Sequence, residues 1–94
     1  MSGLVLVTGA GRRVGAGIAL RLAREGWTIG VHFNGSRDGA QSVASEIRVN
    51  GGKAELFSAD LTDQSAIDAM AARLAQRGDW VGVVNSAASF TPDS

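Results

Sequence analysis

The sequence predicts an α/β fold, a doubly wound parallel sheet in which strands and helices alternate along the chain. Three observations carry the prediction. Short apolar runs alternate with longer segments whose apolar residues recur three and four positions apart. The first run, Leu4-Val5-Leu6-Val7, is apolar at every position, as in a strand covered on both faces. Connections are short and punctuated by glycine, 13 of 94 residues, while Pro92 is the sole proline.

Gly3–Thr8 forms the first strand and ends in a glycine turn. Arg13–Glu25 follows as a helix with Val14, Ile18 and Leu22 on its apolar face, and Gly26 stands where a left-handed residue ends a helix. Trp27–Phe33 is the second strand. Asp38–Asn50 is the second helix, turning Ala40, Val43, Ala44 and Ile47 inward before Gly51-Gly52. Ala54–Ser58 is the third strand. Asp63–Gln76 is the third helix, striped by Ile67, Met70 and Leu74, with Thr62 or Asp63 as N-cap and Gly78 as terminator. Trp80–Asn85 is the fourth strand and Ala87–Ser94 a loop. Trp27, Phe57 and Trp80 are read as packing residues.

Right-handed crossovers with short connections favour the strand order 3-2-1-4, with the first two helices on one face and the third on the other. The order reverses between strands 1 and 4, and ligands bind in the crevice outside the strand ends there. Strand 4 would then be an apolar edge carrying Val81, Val83 and Val84, without lysine, proline or a bulge signal. The expectation is that a further strand pairs with it, from a C-terminal part or a second chain.

Composition narrows the function classes. Nine basic residues balance nine acidic ones, which gives no electrostatic argument for nucleic acid or an anionic membrane. Cysteine is absent and His32 is the lone histidine, so neither a disulfide framework nor a Cys/His zinc site can form. No apolar run approaches the roughly 20 residues that span a bilayer, and Leu4–Val7 is too short for a signal sequence, so a cytoplasmic protein is expected.

The chemistry concentrates in the first turn. A buried strand, a glycine-rich turn and a helix start bring backbone N–H groups and a helix N-terminus against a phosphate. Two registers are open. Gly11-x-x-x-Gly15-x-Gly17 matches a glycine pattern literally but begins two residues late. Thr8-Gly9-x-x-x-Arg13-x-Gly15 keeps the strand–turn–helix geometry and is preferred. A tight turn that binds nothing is the plainer alternative.

With this turn, Asp60-Leu61 after strand 3, and Asn85-Ser86-Ala87-Ala88 after strand 4, the whole chain resembles the short-chain dehydrogenase/reductase family, with its Rossmann-type fold. Arg13 in place of a glycine, and the run Val84-Asn85-Ser86-Ala87-Ala88-Ser89-Phe90, make it most similar to the pteridine and dihydromonapterin reductases. Ala88 departs from the serine those enzymes carry.

The resemblance implies a nicotinamide cofactor, and the residues argue for NADP(H). A carboxylate at the end of strand 2 would bond a free ribose 2′-OH and repel a 2′-phosphate. Here His32-Phe33-Asn34-Gly35-Ser36-Arg37 holds no acid; Asn34 and Ser36 can donate hydrogen bonds, and Arg37 and Arg13 add positive charge. Gly9, Val14 and Gly15 would line the diphosphate, and Arg12 is either a cofactor contact or a plain surface charge. Asp60 either caps the turn into helix 3 or, by resemblance, accepts from the adenine amino group, with Leu61 adding a backbone contact. Asn85 fastens strand 4 to its neighbours, lines the ribose pocket through its backbone, or does both, and Ala87 lines the cofactor through its backbone. Ser89 and Phe90 are substrate candidates; Phe90 either stacks on a flat ring such as a pterin or anchors its loop. His32 is structural or a minor cofactor contact.

Family members use a Tyr-x-x-x-Lys pair for proton transfer. This sequence has no tyrosine, and its one lysine, Lys53, precedes strand 3 away from the expected site. The expectation is the N-terminal dinucleotide-binding portion, residues 1–94, of an NADPH-dependent short-chain reductase acting on a C=N or C=O bond of a small molecule. Its parent would be a homo-oligomer, completed by a complementary C-terminal polypeptide of roughly 150 residues. The rival expectations are a stand-alone NADP(H)-binding module without catalysis, and a reductase of a 3-oxoacyl, sugar or steroid carbonyl.

Overall fold

The computed structural model describes residues 3–10, 13–35 and 37–85. Strands and helices alternate as β1 (Leu4–Thr8), α1 (Arg13–Arg24), β2 (Thr28–Phe33), α2 (Arg37–Val49), β3 (Ala54–Ser58), α3 (Gln64–Arg77) and β4 (Trp80–Asn85). The sheet is parallel throughout, in the order β3-β2-β1-β4 that the sequence predicts. Boundaries move by a residue at β1, β2 and the helices, where terminal turns fray between assignments.

Period-two alternation splits the strand side chains between two cores. Val5, Val7, Ile29, Val31 and Phe33 pack with Ala19 of α1 and with Ala40, Val43, Ala44 and Ile47 of α2. Leu4, Leu6 and Phe57 turn to the other face and meet Leu74 and Met70 of α3. Each fully buried Leu, Ile or Phe contributes about 1.5–3 kcal/mol of transfer free energy, so the larger first core dominates. On the second face, a Cβ at Gly30 would come within 3.0 Å of Leu6 Cδ1 and 3.1 Å of Phe57 Cε1. The missing side chain is what lets those two large residues close over β2.

Asp63 is the N-cap of α3, its carboxylate accepting from Ser65 N–H at 2.9 Å. Gly78 ends that helix at φ 74°, donating its N–H to the Leu74 carbonyl. Both are positions the sequence marks.

Three expectations fail. Val14 is 71% exposed rather than part of the α1 apolar face. Gly15 and Ala19, one turn apart, are buried instead, so the packing stripe runs through small residues and Val14 projects from the first turn. Trp80 is 43% exposed and does not serve as a core residue. Finally, β4 does carry a bulge: Leu4 pairs with Trp80 but Val5 pairs with Gly82, leaving Val81 as the extra residue. Gly82 inside the strand was the signal, since an interior glycine marks such irregularities.

Candidate functional site at the carboxyl edge of the sheet

Parallel register aligns the strand ends. Thr8 pairs with Asn85, and Phe33 with Ser58, so β1 to β4 all finish on one edge. The residues just beyond them, Gly9, Asn34 and Asp60, together with Asn85, are therefore neighbours along that edge. The sheet order reverses between β1 and β4 there.

The turn after β1 is held by an unexpected residue. Gly9 has φ 65°, a left-handed conformation that favours glycine. Its N–H donates to His32 Nδ1 at 3.0 Å, and the next N–H, of Ala10, donates to the His32 carbonyl at 3.0 Å. An imidazole nitrogen that accepts from an amide carries no proton, so His32 holds its proton on Nε2 and donates it to the Ala59 carbonyl, 2.9 Å away. His32 is 2% exposed. The sequence reading of a structural histidine holds, but it did not foresee that the ring ties the ends of β1, β2 and β3 together. The available signal was one polar residue inside the otherwise apolar Ile29–Phe33 run.

With the Gly9 and Ala10 amides engaged, the donors left for a ligand on this side, among the described residues, are those of the first turn of α1. The first four N–H groups of a helix lack intrahelical acceptors and carry partial positive charge. Arg13, Val14 and Gly15 open that turn, and no acidic residue stands in it to neutralise the charge. Gly11, Arg12 and Ser36, and the Arg13 side chain, lie outside the described residues, as do Ala87, Ser89 and Phe90.

At the end of β2, Asn34 and Gly35 are exposed. Arg37 opens α2 and is also exposed, its guanidinium carbon 5.6 Å from the centroid of the Phe33 ring. Beyond β3, Asp60 accepts from Thr62 Oγ1 at 2.7 Å and Thr62 N–H at 2.9 Å. The Thr62 hydroxyl, then its amide, hold the carboxyl below the usual aspartate range, against a smaller opposing effect of desolvation. The capping role considered for Asp60 is thus observed. Leu61 lines an apolar groove of about 370 Å³ between α3 and β4, with Met70, Leu74 and Val83. At the end of β4, Asn85 Oδ1 accepts from the buried Thr8 hydroxyl at 2.9 Å. Its side chain fastens β4 to β1, the first of the two roles read for it.

Among the described residues, no cluster of acidic, His or Cys side chains could hold a metal ion. Nor is any described helix long and apolar enough to cross a membrane.

Known proteins carry the same arrangement. The chain is 33% identical over 94 residues to the 3-oxoacyl-[acyl-carrier-protein] reductase FabG of Staphylococcus aureus, covering all of this chain and 38% of that protein. A dehydrogenase/reductase structure from Sinorhizobium meliloti superposes with a TM-score of 0.83 at 36% identity, over 89% of this chain and 34% of that one. A Burkholderia cenocepacia structure described as a dehydrogenase with bound NADP superposes with a TM-score of 0.81 at 31% identity, over 89% and 33%. The chain thus spans about a third of the length of these relatives. The short chain dehydrogenase family matches residues 3–93, with the glycine turn, the sheet order and the fastened β4 end all in that span, and the chain belongs to that family.

Proposed function

We propose that this chain binds NADP(H) at the carboxyl edge of its sheet and forms the dinucleotide-binding portion of a short-chain reductase. The observation that carries the reading is the end of β2. Between Phe33 and Asp38 no carboxylate is present, and Arg37 stands over the Phe33 ring. A 2′-phosphate there meets a cation instead of an anion. The bound NADP of the Burkholderia cenocepacia neighbour supports the same choice.

The residues fit such a cofactor in parts. The first turn of α1 offers amides and an unneutralised helix end to the diphosphate, with the buried Gly15 in that turn. Asp60, fixed by Thr62, can accept from an adenine amino group. Asn34, Ser36, Arg37 and Arg13 would surround the 2′-phosphate. Gly9 contributes conformation rather than a donor, because its amide is already bonded to His32. When bound, NADPH supplies a hydride; the residues of this chain bind and orient it.

The parent reaction is hydride transfer to a C=N or C=O bond. The Ser89-Phe90 segment and Arg13 favour a pterin, whereas the 33% identity to a 3-oxoacyl reductase favours an acyl thioester ketone. We further propose that a complementary polypeptide pairs with β4 and supplies the proton-transfer residues. Val81 and Val83, 59% and 50% exposed, support that pairing. Fluorescence titration of the chain with NADPH and NADH tests the cofactor reading. Tighter NADPH binding is expected; equal affinity, or none for either, overturns it. Assay of the completed protein with dihydropterin and 3-oxoacyl substrates separates the two substrate classes.

A further inference from the structure

We infer that His32 is a positioning residue for the dinucleotide site: its Nδ1 sets the glycine turn by accepting the Gly9 N–H, and this bond, rather than ring packing, is what the cofactor senses. The inference rests on the NADP(H) reading above and adds a residue to it.

The geometry separates the two jobs of the ring. Nδ1 faces the turn, 3.0 Å from the Gly9 nitrogen. Nε2 faces the opposite way, 2.9 Å from the Ala59 carbonyl, before the Asp60–Asp63 turn. Gly9 at φ 65° reverses the chain just after β1, and Ala10 is fixed by the backbone of the same histidine. The chain thus leaves β1 pinned at two successive amides, and the helix that follows begins only at Arg13. In sequence only two residues separate that pinned pair from Arg13, so a shift of the pair bears on where α1 begins. A half-buried amide that lost its acceptor would be driven to find another, and the turn would shift with it.

Shorter and longer amides isolate each bond. In His32→Asn, Oδ1 sits one bond from Cγ, as Nδ1 does, and can accept from Gly9; the Ala59 carbonyl loses its partner. In His32→Gln, the terminal amide reaches the Nε2 position and can donate to Ala59; the Gly9 amide loses its partner. An unpaired carbonyl is tolerated better than an unpaired N–H, which adds to the asymmetry.

The test measures NADPH binding by the chain and both variants, with circular dichroism and thermal unfolding as controls. Asn at 32 is expected to bind within about threefold of wild type, and Gln, whose turn is no longer held, to bind about tenfold or more weakly. Equal affinities for the two variants, or the reverse order, overturn the inference. A second arm needs no variant and no ligand. In wild-type protein, NMR is expected to show Nδ1 unprotonated and the Gly9 and Ala10 amides protected from exchange. A protonated Nδ1, or exchange as fast as in exposed loops, overturns it as well. If wild type binds no NADPH, the cofactor reading fails alone, and the NMR arm still decides whether His32 pins the turn.

Discussion

Arg37 occupies an electrostatically awkward position. A cation in the first turn of a helix opposes the positive end of the helix dipole, by some 0.3–1 kcal/mol. Its guanidinium lies 5.6 Å from the Phe33 centroid, at the long end of a cation–π contact, which offsets only part of that cost at an exposed site. On the proposed reading, a cofactor phosphate beside Arg37 would offset the remainder. Arg37→Ala is therefore expected to weaken NADPH by about tenfold, in line with one charge-assisted contact, while leaving NADH nearly unchanged. Parallel titrations check it, and equal losses for both nucleotides would remove the 2′-phosphate assignment. The place of Arg37 at the start of α2 was legible in the sequence because charge and position sufficed. His32 was legible only as a structural residue, because its importance lies in which backbone atoms its two nitrogens reach, and those lie just past the ends of two other strands, β1 and β3.

At the scale of elements, α3 is the helix held most by its ends. Leu74 is its one buried residue, while Ile67 and Met70 are half-buried, so the caps and the surface ion pairs carry more of its stability than usual. Asp63→Ala removes the bond to Ser65 N–H and should cost about 1 kcal/mol, readable as a lower denaturation midpoint. At the other end, Arg77 joins Glu55 of β3 to Asp79, and Arg73 both pairs with Glu55 and lies 4.2 Å from the Phe57 centroid. The Arg77 hydrogen bond, then its charge, hold Asp79 below the usual aspartate range, against partial desolvation. A carboxyl depressed in the folded state adds stability at pH values above its unfolded value, and that contribution disappears as pH falls through the folded value. The chain should accordingly lose stability below about pH 4, and Asp79→Asn should flatten that acid limb in pH-dependent urea unfolding. Caps and strand spans were readable beforehand because they depend on neighbours in sequence. The packing face of α1 was read in part: Ile18 and Leu22 pack against the core, whereas in the first turn Gly15 rather than Val14 is buried, and a small residue there leaves no apolar signal.

For the whole molecule, the decisive feature is the asymmetry of the two faces. One face is sealed by α1 and α2 over a continuous core, whereas α3 covers only part of the other, leaving the groove along β4. That imbalance meets an outer strand that, among the described strands, pairs only with β1, softened by the bulge at Val81 but still carrying exposed Val83. Bulges twist an edge away from further pairing, yet an apolar edge without charge remains a template for another chain. The isolated chain should therefore self-associate with rising concentration. Val83→Lys should suppress this, since a charged edge opposes strand addition, without disturbing the α1–α2 core on the opposite face. Sedimentation velocity across a concentration series reads the first effect and near-unchanged thermal unfolding the second. The same substitution should also block assembly with a complementary polypeptide, if β4 is where that polypeptide joins. A Val83→Lys chain that still assembles would place the junction away from β4 and from the groove that Val83 lines, and one that self-associates as wild type does would show that the β4 edge is not the sticky surface.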